Sequence, residues 1–256
     1  MSRTTKTGPR PRPGPSAPSK TQVDKAGRLL SRFLKRFREV GELSFSEFDA
    51  EKVNTAVALV EAWRSYHAPV LSSVAANLRY YTAEEGSAQI AQRLKRYPTI
   101  VDKLLREPSM RLSQMADIGG ARAVLPDQAA VDGVVRRLRK NWTVVDLKDY
   151  VREPKDDGYR AMHLIVRRRG RLIEVQLRTP FQHLWANMVE EDSRRLGSDL
   201  KSGGGTDDLR ASYKHLADQG AQVEAGLADR PVLVAAMQAV LVLADRLSKA
   251  DRSSSR

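Results

Sequence analysis

The chain has 256 residues, enough for one substantial domain with appendages and a hydrophobic core of its own. It contains no cysteine, which excludes disulfides and thiolate metal sites and suits a reducing compartment, so we expect a cytoplasmic protein. The formal net charge of +13 favours polyanionic partners such as nucleotides or RNA.

The N-terminal part is predicted to be a basic tail followed by helices. Residues 1–22 are rich in proline, serine, threonine and basic residues, a composition typical of disorder. From residue 24 to 39, leucine and phenylalanine recur at helical spacing against arginine and lysine, which predicts a basic amphipathic helix. Residues 47–82 predict one long or two short helices. We assign residues 23–87 to these N-terminal helices.

Residues 88–196 are predicted to form the core domain. A helix is expected over residues 88–106, and strand-like patterns follow it. The predicted strands are 118–125, 143–148, 161–168 and 172–178, with a helix over 127–140. Arg169 and Gly170 join the last two strands as a hairpin, and residues 180–196 return to a helix. A mixed β-sheet with helices before, within and after it is an α+β fold.

The C-terminal part is predicted to be a loop and two helices. Residues 197–208 include three consecutive glycines and predict a flexible loop. Helices are expected over residues 209–226 and 231–252, within a C-terminal region that extends to residue 256. The apolar run 231–244 is too short for a membrane span, so no membrane contact is expected. This run would pack on the core, form a homo-oligomer or bind a neutralising partner.

Polar and apolar side chains alternate in the last predicted strand. Ile173 and every second residue after it would face the core, so Glu174, Gln176 and Arg178 would share the opposite face. A carboxylate, an amide and a guanidinium on one face can bind a metal ion and phosphate. An ordinary half-exposed strand is the alternative. Across the predicted hairpin, His163 could join this face.

Asp117 precedes a pair of glycines at the start of the first predicted strand. Strict alternation places Asp117 and Arg122 on opposite faces, so the glycines must bend the strand if both residues serve one site. A simple turn before the strand is the alternative. Asp117 and Glu174 on neighbouring strands would suit a magnesium ion whose other ligands are substrate phosphates and water.

The predicted helix 88–106 supplies cations that would neutralise a triphosphate. They are Arg93, Lys95, Lys103 and Arg106. Arg93 and Lys95 do not share a helix face, so they need a helix end or a loop there in order to converge. A solvated helix face is the alternative.

Several short motifs occur in a specific order over roughly residues 88–190. They are Arg93-Leu94-Lys95, Met115-Ala116-Asp117-Ile118-Gly119-Gly120-Ala121-Arg122, Gly158-Tyr159-Arg160-Ala161-Met162-His163, Glu174-Val175-Gln176-Leu177-Arg178-Thr179 and Trp185-Ala186. This order and spacing strongly resembles the RelA/SpoT synthetase domain, which occurs alone in small alarmone synthetases. The resemblance implies a nucleotidyltransferase-like mixed sheet flanked by helices. It also implies a pyrophosphokinase that moves the β,γ-pyrophosphate of ATP to a ribose 3′-hydroxyl and releases AMP.

The resemblance further implies roles for individual residues. The implied ATP-binding residues are Arg93, Lys95, Thr99, Lys103, Arg106 and Arg122. The implied acceptor-binding residues are Lys155, Tyr159, Arg160, His163, Gln176 and His183. Among these, the two arginines at 93 and 122 would sandwich adenine, and Tyr159 would stack on the acceptor base. Asp117 and Glu174 would bind Mg²⁺, and Glu174 would be the base for the 3′-hydroxyl.

Three departures from the usual motifs favour the toxic branch of the family, several members of which pyrophosphorylate the 3′-terminal adenosine of tRNA. Ala161 replaces the usual serine, His183 stands where asparagine is frequent, and Val189-Glu190 stands where Glu-His is common. We therefore expect a tRNA pyrophosphokinase that inhibits translation as a toxin, with a neutralising antitoxin protein as a partner.

Two alternatives stand beside the tRNA pyrophosphokinase. The first is a (p)ppGpp synthetase that uses GDP or GTP as acceptor, which the family-wide motifs favour equally. The second, from another class, is a non-catalytic RNA-binding or sensing module, against which Asp117 and Glu174 argue. Basic surface expected beside the site, from Arg160 and residues 167–171, favours the tRNA acceptor.

Overall fold

The computed structural model describes residues 17–40, 48–198, 200 and 204–254. Its helices are α1 (Lys20–Val40), α2 (Ala50–Ser65), α3 (Ala68–Thr82), α4 (Tyr97–Arg106), α5 (Gln128–Asn141), α6 (Pro180–Arg195), α7 (Asp207–Glu224) and α8 (Arg230–Ser254). Its strands are β1 (Gln89–Leu94), β2 (Gly119–Val124), β3 (Thr143–Asp149), β4 (Met162–Arg168) and β5 (Arg171–Arg178). Most of the predicted tail, residues 1–16, lies outside the described residues, as do residues 199 and 201–203 of the predicted loop.

The chain divides into two compact units, of which the first comprises Met1–Tyr66 and Arg96–Met115. Its α1 helix buries residues at intervals of three and four, which places them on one face. They are Val23, Ala26, Gly27 and Leu30. Gly27 allows close packing, because a Cβ atom there would lie 3.2 Å from Leu104 Cδ1 of α4. The predicted amphipathic helix is confirmed, and its apolar face lies inside this unit.

The second unit comprises His67–Lys95 and Ala116–Arg256 and is built on a five-stranded sheet with the order β1-β2-β5-β4-β3. The β2–β5 pair is parallel, and the other three pairs are antiparallel. The α3 and α5 helices pack on one face of this sheet, where alternate strand residues form an apolar core. Core residues include Leu71, Val74, Leu78, Val131, Leu138, Leu164, Val175 and Leu177. The predicted α+β fold with a mixed sheet is confirmed.

A second apolar cluster joins α6, α7 and α8. The Trp185 ring of α6 lies 6.0 Å from the Tyr213 ring of α7, and its Nε1 donates to the Tyr213 carbonyl oxygen at 2.8 Å. Tyr159 and Ala161, which precede β4, belong to the same cluster. These helices therefore border the sheet face opposite the α3–α5 core, where the polar residues of β4 and β5 lie.

The predicted helix over residues 88–106 is wrong in its first half. Residues 89–94 form β1, which pairs antiparallel with β2, and α4 begins only at Tyr97 with Pro98 in its first turn. Proline is favoured at the start of a helix because its missing N–H has no helical partner there. Pairing of β1 with β2 joins residues about thirty positions apart, and a local periodicity does not report such a contact.

The remaining predicted elements are confirmed to within a few residues at their ends. Residues 47–82 contain two helices, α2 and α3. The hairpin between β4 and β5 turns at Arg169 and Gly170, both of which have positive φ angles, 46° and 75°. A two-residue loop of this kind matches the twist of antiparallel strands.

The last helix, α8, is longer than the apolar run that predicts it. Its segment Arg230–Ala250 is 21 residues long, enough to cross a membrane, and contains an 18-residue stretch with a mean hydropathy of 1.5, of which 22% is buried. The argument that this region is too short for a membrane span is therefore wrong. Length and composition alone are weak evidence for a span, because a core helix of a globular protein satisfies both. Here Ala236, Val240 and Ala244 are buried against the α6–α7 cluster.

Candidate active site

A cavity of about 480 Å³ opens in the second unit, on the sheet face opposite the α3–α5 core. Its walls come from β1, β2, β4 and β5, from the segment before β4 and from α6. Its basic side chains are Arg93, Lys95, Arg122, Lys155 and Arg178. Its acidic side chains are Asp117, Asp157, Glu174 and Glu190. A cavity with this lining can take a ligand that carries several phosphates and a metal ion.

The cations at residues 93 and 95 converge because Arg93 lies in β1 and Lys95 follows it directly, where its N–H donates to the Ile118 carbonyl oxygen at 2.8 Å and continues the pairing. Alternate residues of a strand share one face, and both Arg93 and Lys95 line the cavity. Arg93 lies opposite Gly120 of β2, where the missing side chain leaves room beside the strand. Lys95 Nζ lies 3.0 Å from Asp117 Oδ2. Arg93 and Lys95 therefore converge without the helix end or loop that a helix would have needed there.

Asp117 and Arg122 reach the same cavity without a bend inside β2. Asp117 lies in a short 3-10 turn, Ala116–Ile118, that precedes the strand, so strand alternation does not apply to it. Arg122 is the cross-strand neighbour of Gln176 in the parallel β2–β5 pair. Burial, then the charges of Arg178 and Arg93, lower the pKa of Arg122 from its ordinary value. Arg122 therefore lies half-buried beside two further arginines, Arg178 and Arg93, and the three form the cationic wall of the cavity.

Glu174 is held by both of its carboxylate oxygens. His163 Nδ1 lies 2.9 Å from Oε1, and Gln176 Nε2 donates to Oε2 at 2.9 Å. The β4–β5 register places His163 opposite Gln176, which brings these side chains to one face as the hairpin predicts. The predicted polar face of β5, with His163 joining it, is therefore confirmed.

Arg178 closes this arrangement from the other side. Its Nη2 donates to the Tyr159 hydroxyl at 2.7 Å and to Gln176 Oε1 at 2.9 Å. The Tyr159 hydroxyl lies 2.7 Å from His163 Nε2. Because the guanidinium can only donate, the tyrosine can donate its own proton to Nε2, and the imidazole then carries its proton on Nδ1 and donates to Glu174. Every donor therefore points towards Glu174.

Electrostatics keep Glu174 ionised. Burial alone would raise its pKa, but the hydrogen bond and charge of His163, with the hydrogen bond from Gln176, outweigh burial and lower the pKa below the ordinary 4.5. The charge of Asp117 acts in the opposite direction and raises it. The charges of the two carboxylates thus act on one another within the cavity that both line.

Tyr159 is 6% exposed, and its hydroxyl is part of the Glu174 network. Its ring meets those of Tyr150 and His163 edge-on, and Lys155 Nζ lies 5.2 Å from the ring centroid. Burial raises the pKa of Tyr159, so the hydroxyl stays protonated as a donor. Stacking of Tyr159 on an acceptor base stays a prediction, and the structure gives the residue a second role that the motif did not indicate.

Arg160 does not line the cavity. Its Nη2 pairs with Asp218 of α7 at 2.9 Å, and its Nη1 donates to the Gly158 carbonyl oxygen at 3.2 Å. Gly158 has a φ of +90° and packs so closely on α7 that a Cβ atom would lie 2.8 Å from Ala217 Cβ. Arg160 thus joins the segment before β4 to α7, and its predicted contact with an acceptor stays untested.

The α6 helix contributes polar residues that sequence reasoning missed. Asn187 and Glu190 line the cavity, and Asn187 Nδ2 lies 3.2 Å from His183 Nε2. These three residues lie on one helix face, at spacings of four and three, which was the available signal. Burial, followed by the charges of Arg122 and Arg178, lowers the pKa of His183, which favours its neutral form.

Three predicted ATP-binding residues belong to the other unit. Thr99, Lys103 and Arg106 lie in α4, and the Thr99 hydroxyl donates to the Arg96 carbonyl oxygen at 2.7 Å. Their roles stay predictions. The prediction that the arginines at 167–169 form basic surface beside the site is wrong. They lie at the hairpin end of β4 and line a separate pocket. Sequence proximity to His163 did not show that β4 carries them away from it.

Comparison with known proteins identifies the domain that contains this cavity. Residues 92–194 match the family described as the region found in RelA / SpoT proteins. The segment begins in β1 and ends in α6, so it includes the sheet and most of the cavity lining. Residues 92–194 are therefore similar to that region, in the part of the chain where the motifs predict it.

Two curated relatives come from Bacillus subtilis (strain 168). GTP pyrophosphokinase YjbM is 32% identical over 111 residues, which cover 39% of this chain and 53% of the relative. GTP pyrophosphokinase YwaC is 28% identical over 144 residues, which cover 50% of this chain and 68% of the relative. The match thus spans about half the length of the first relative. The matched domain and these relatives support a pyrophosphokinase.

Solved structures share the fold. Small alarmone synthetase 2 from Bacillus subtilis has a TM-score of 0.55 at 22% identity, over 64% of this chain and 93% of that one. Small alarmone synthetase 1 from the same organism, bound to its product pppGpp, has a TM-score of 0.55 at 22% identity, over 65% and 95%. At this identity the likeness shows the fold alone. Neither these structures nor the two relatives support a tRNA-modifying branch.

Proposed function

We propose that this protein transfers the β,γ-pyrophosphate of ATP to the ribose 3′-hydroxyl of GDP or GTP, and so makes (p)ppGpp and AMP. The observation that carries the proposal is a carboxylate, Glu174, oriented at both oxygens inside a cavity that is also lined by three arginines and two lysines. Guanine nucleotide as acceptor is supported by the names of the two relatives and by the pppGpp bound to one structural neighbour.

Glu174 is the proposed base. It would take the proton of the 3′-hydroxyl as the 3′-oxygen forms a bond to the β-phosphorus of ATP. The bond from that phosphorus to the oxygen bridging the α-phosphate breaks, and AMP leaves with the bridging oxygen. Because the pKa of Glu174 is lowered, the carboxylate is ionised and ready to accept a proton at neutral pH. His163 and Gln176 fix the direction of its remaining lone pairs.

The cationic wall is proposed to bind ATP. Arg93 and Arg122 come from neighbouring strands, and planar guanidinium groups stack well on an adenine ring. Lys95 presents a compact charge that suits phosphate oxygens. Burial and, after it, the charges of Arg178 and Arg93 lower the pKa of Arg122, and bound phosphates would offset that positive charge. Thr99, Lys103 and Arg106 are proposed as further phosphate ligands on the resemblance alone.

The donor set fits a magnesium ion at Asp117 and Glu174. Each oxygen of Glu174 accepts one hydrogen bond and keeps a further lone pair, and the charge of Asp117 acts on Glu174 across the cavity. Among the described residues, no group of three or more histidine or carboxylate side chains could hold a metal by itself. Magnesium in phosphate chemistry takes one or two carboxylates and completes its shell with substrate phosphates and water. Bound there, Mg²⁺ would offset the negative charge that develops on the phosphates.

The acceptor side is proposed to lie along the segment before β4 and along α6. Lys155 provides a cation for the acceptor phosphates, and its ammonium is already positioned over the rings of Tyr150 and Tyr159. Gln176 of β5 and Asn187 of α6 offer hydrogen bonds from the cavity lining, and His183 lies behind Asn187, at 3.2 Å from its Nδ2. This side would hold the ribose so that its 3′-hydroxyl faces Glu174.

A tRNA acceptor is the second candidate. Its motivation is the set of departures at Ala161, His183 and Val189-Glu190. Of these residues Glu190 lines the cavity, whereas Ala161 and Val189 are buried in the apolar cluster of α6, α7 and α8, so the departures do not indicate which nucleotide is bound. The comparisons support the guanine nucleotide better. The toxin role, the antitoxin partner and the homo-oligomer stay predictions.

Transfer from ATP labelled on the γ-phosphate tests the proposal, since that label moves with the pyrophosphate. The full chain is incubated with Mg²⁺ and either GDP, GTP or deacylated tRNA, and the Glu174→Gln variant serves as control. We expect label in the guanine nucleotides from the wild-type protein alone. Label in tRNA and in neither guanine nucleotide would reverse the choice of acceptor. No transfer to any of the three would favour the non-catalytic module.

A further inference from the structure

The α8 helix is apolar on two opposite sides. On the inner side, Ala236, Val240 and Ala244 pack against the α6–α7 cluster and are at most 6% exposed. The other side, which we call the outer face of α8, consists of the exposed residues between positions 231 and 242, and all of them except Gln238 are apolar. A helix that is apolar all round is normally covered all round. The inner face has its cover within the chain, and the outer face needs a second one.

Exposed apolar side chains are concentrated on this helix. Among the described residues, ten large apolar side chains are exposed, and five of them lie on α8 or in the segment that leads into it. These five are Leu227, Val232, Val234, Leu241 and Val242. The last three are 51%, 55% and 52% exposed. Single exposed apolar residues are ordinary on a protein surface, whereas a contiguous group of them marks a surface that another molecule covers.

Charges at the two ends of the apolar run indicate what that molecule is. Asp229-Arg230 precedes the run and Asp245-Arg246 follows it, in the same order. If two copies of α8 pack antiparallel about a midpoint between residues 237 and 238, each aspartate of one copy lies at the height of an arginine of the other. Parallel copies would bring like charges together, which is unfavourable. Asp245 also pairs with Lys249 of its own helix at 2.7 Å, and a carboxylate can accept from both cations.

Gln238 lies next to the same midpoint and is the polar residue of the outer face. At a two-fold axis a residue meets its own copy, so its side chain must be complementary to itself. An amide meets this requirement, because it can donate to a second amide and accept from it. A single polar residue within an apolar helix seam also fixes the register and orientation of the pair. The charges and the amide therefore indicate the same antiparallel arrangement.

We propose that the outer face of α8 binds a second copy of this chain, in an antiparallel helix pair whose two-fold axis passes near Gln238. Val234, Leu241 and Val242 of each copy are buried in this interface, and the charged ends of the run pair across it. A bilayer that took α8 as a span would separate it from the α6–α7 cluster, whereas a second copy leaves that cluster intact. The interface contains no residue of the cavity lining, so it goes beyond the proposed pyrophosphate transfer.

Sedimentation equilibrium of the full chain, without nucleotide, measures the dissociation constant of this dimer. Val242→Glu places a charge in the interface twice per dimer, and Val145→Glu places the same charge on β3, at a valine that is 47% exposed. We expect Val242→Glu to raise the dissociation constant about a hundredfold or more, because burial of an unpaired charge is costly. Val145→Glu should leave it near the wild-type value. Circular dichroism checks that both variants keep their helices.

A charge exchange tests the antiparallel register and leaves the apolar residues in place. Arg246→Glu sets a carboxylate against Asp229 of the partner subunit, and Asp229→Lys sets an ammonium against Arg246 of the partner subunit. Each change alone should weaken dimerisation about tenfold, and the double variant should recover most of the loss. Positions 229 and 246 are about 25 Å apart along one helix, so a recovery can arise only between copies.

Disulfide crosslinking locates the two-fold axis. The chain contains no cysteine, so a single introduced cysteine can form a disulfide only between copies. Oxidation with copper phenanthroline should crosslink Gln238→Cys rapidly and the control Val145→Cys slowly, because a disulfide needs the two Cα atoms within about 7 Å.

Five results would overturn the inference. They are a wild-type chain that stays monomeric at about 100 µM, equal effects of the two glutamate substitutions, no recovery in the double charge variant, equal crosslinking of the two cysteine variants, and binding of the outer face to phospholipid vesicles without dimerisation. These measurements use neither ATP nor an acceptor, so failure here is distinct from failure of the proposed function.

Discussion

Arg178 reaches Glu174 along two hydrogen-bonded paths that begin at a single nitrogen. Nη2 donates to the Tyr159 hydroxyl at 2.7 Å and to Gln176 Oε1 at 2.9 Å. One path continues through His163 to Oε1 of Glu174, and the other passes directly from Gln176 to Oε2. The carboxylate is thus fixed at both oxygens by side chains whose donor direction agrees. Residues in these paths should affect the reaction through the orientation of Glu174.

Tyr159→Phe removes the hydroxyl of Tyr159 and keeps its aromatic ring, so it tests the two roles of the residue separately. The ring would still be able to stack on an acceptor base, whereas Arg178 and His163 would each lose a hydrogen-bond partner. We expect kcat to fall about 10- to 100-fold, the equivalent of about 1.5–3 kcal/mol for a hydrogen bond to a charged group. Steady-state transfer assays with GDP as the varied substrate measure this change.

Tyr150→Phe is the matched control for that substitution. The Tyr150 ring lies 5.9 Å from Tyr159 and 5.2 Å from His163, but its hydroxyl does not enter the Glu174 network. We expect near wild-type kcat for this variant. Equal, small effects of the two substitutions would contradict a role for the Tyr159 hydroxyl and leave only its ring.

Glu174 should remain ionised throughout the neutral range. Burial opposes this state, but the contacts with His163 and Gln176 hold its pKa below 4.5, so kcat should not fall through protonation of Glu174 between about pH 6 and pH 9. Glu174→Gln should reduce kcat by about 10²- to 10⁴-fold at every pH in that range. A pH profile of both proteins checks this, and an acid limb above pH 6 that vanishes in the variant would contradict it.

The same pKa has a consequence for stability. Since the folded protein lowers the pKa of Glu174, the ionised carboxylate stabilises the fold above 4.5, and this contribution disappears as the pH falls through the folded-state value. We expect the difference in unfolding free energy between the wild type and Glu174→Gln to be larger at pH 7 than at pH 4. Urea unfolding at the two pH values measures it. A difference that grows towards acid would show that the pKa is raised.

The sequence predicts the catalytic strand well because its signal is local. Alternation in β5 places Glu174, Gln176 and Arg178 on one face, and a two-residue hairpin is enough to bring His163 beside them. Order and spacing of motifs then predict a resemblance to the RelA/SpoT synthetase domain, and residues 92–194 match the model of that region. Both inferences depend on residues close together in the chain.

The features that the sequence misses depend on contacts between distant residues. The edge strand β1 has six residues and owes its conformation to β2, so the apolar residues near it suggested a helix instead. Glu190 drew attention only as a departure from a motif, although its spacing from His183 already placed both on one face of α6. The link from Arg178 to the Tyr159 hydroxyl follows from tertiary packing, and no spacing rule contains it.

Asp117→Asn should weaken the response to magnesium. The amide keeps the shape of the side chain but removes one of the two carboxylates proposed to hold the ion. We expect the Mg²⁺ concentration for half-maximal activity to rise about tenfold or more. The control is Asp157→Asn, which changes the same charge in the same cavity while its remaining oxygen can still accept from the Tyr159 backbone N–H. Equal shifts in the two variants would assign the effect to overall charge rather than to a ligand.

Asp218 on α7 should control acceptor binding from outside the cavity. Its carboxylate holds Arg160, which also donates to the carbonyl of Gly158, so the ion pair fixes the segment that carries Lys155 and Tyr159. Burial opposes ionisation of Asp218, but hydrogen bonds from Arg160 and Lys214 lower its pKa below 3.8, so the pair is intact at neutral pH. Asp218→Asn should raise KM for GDP several-fold and change KM for ATP little, because Arg93 and Arg122 lie on other strands.

Lys214→Ala removes the exposed partner of the same carboxylate and serves as control, with KM for GDP near the wild-type value. Equal rises in both KM values would show that the ion pair supports the fold of the whole site rather than the acceptor side.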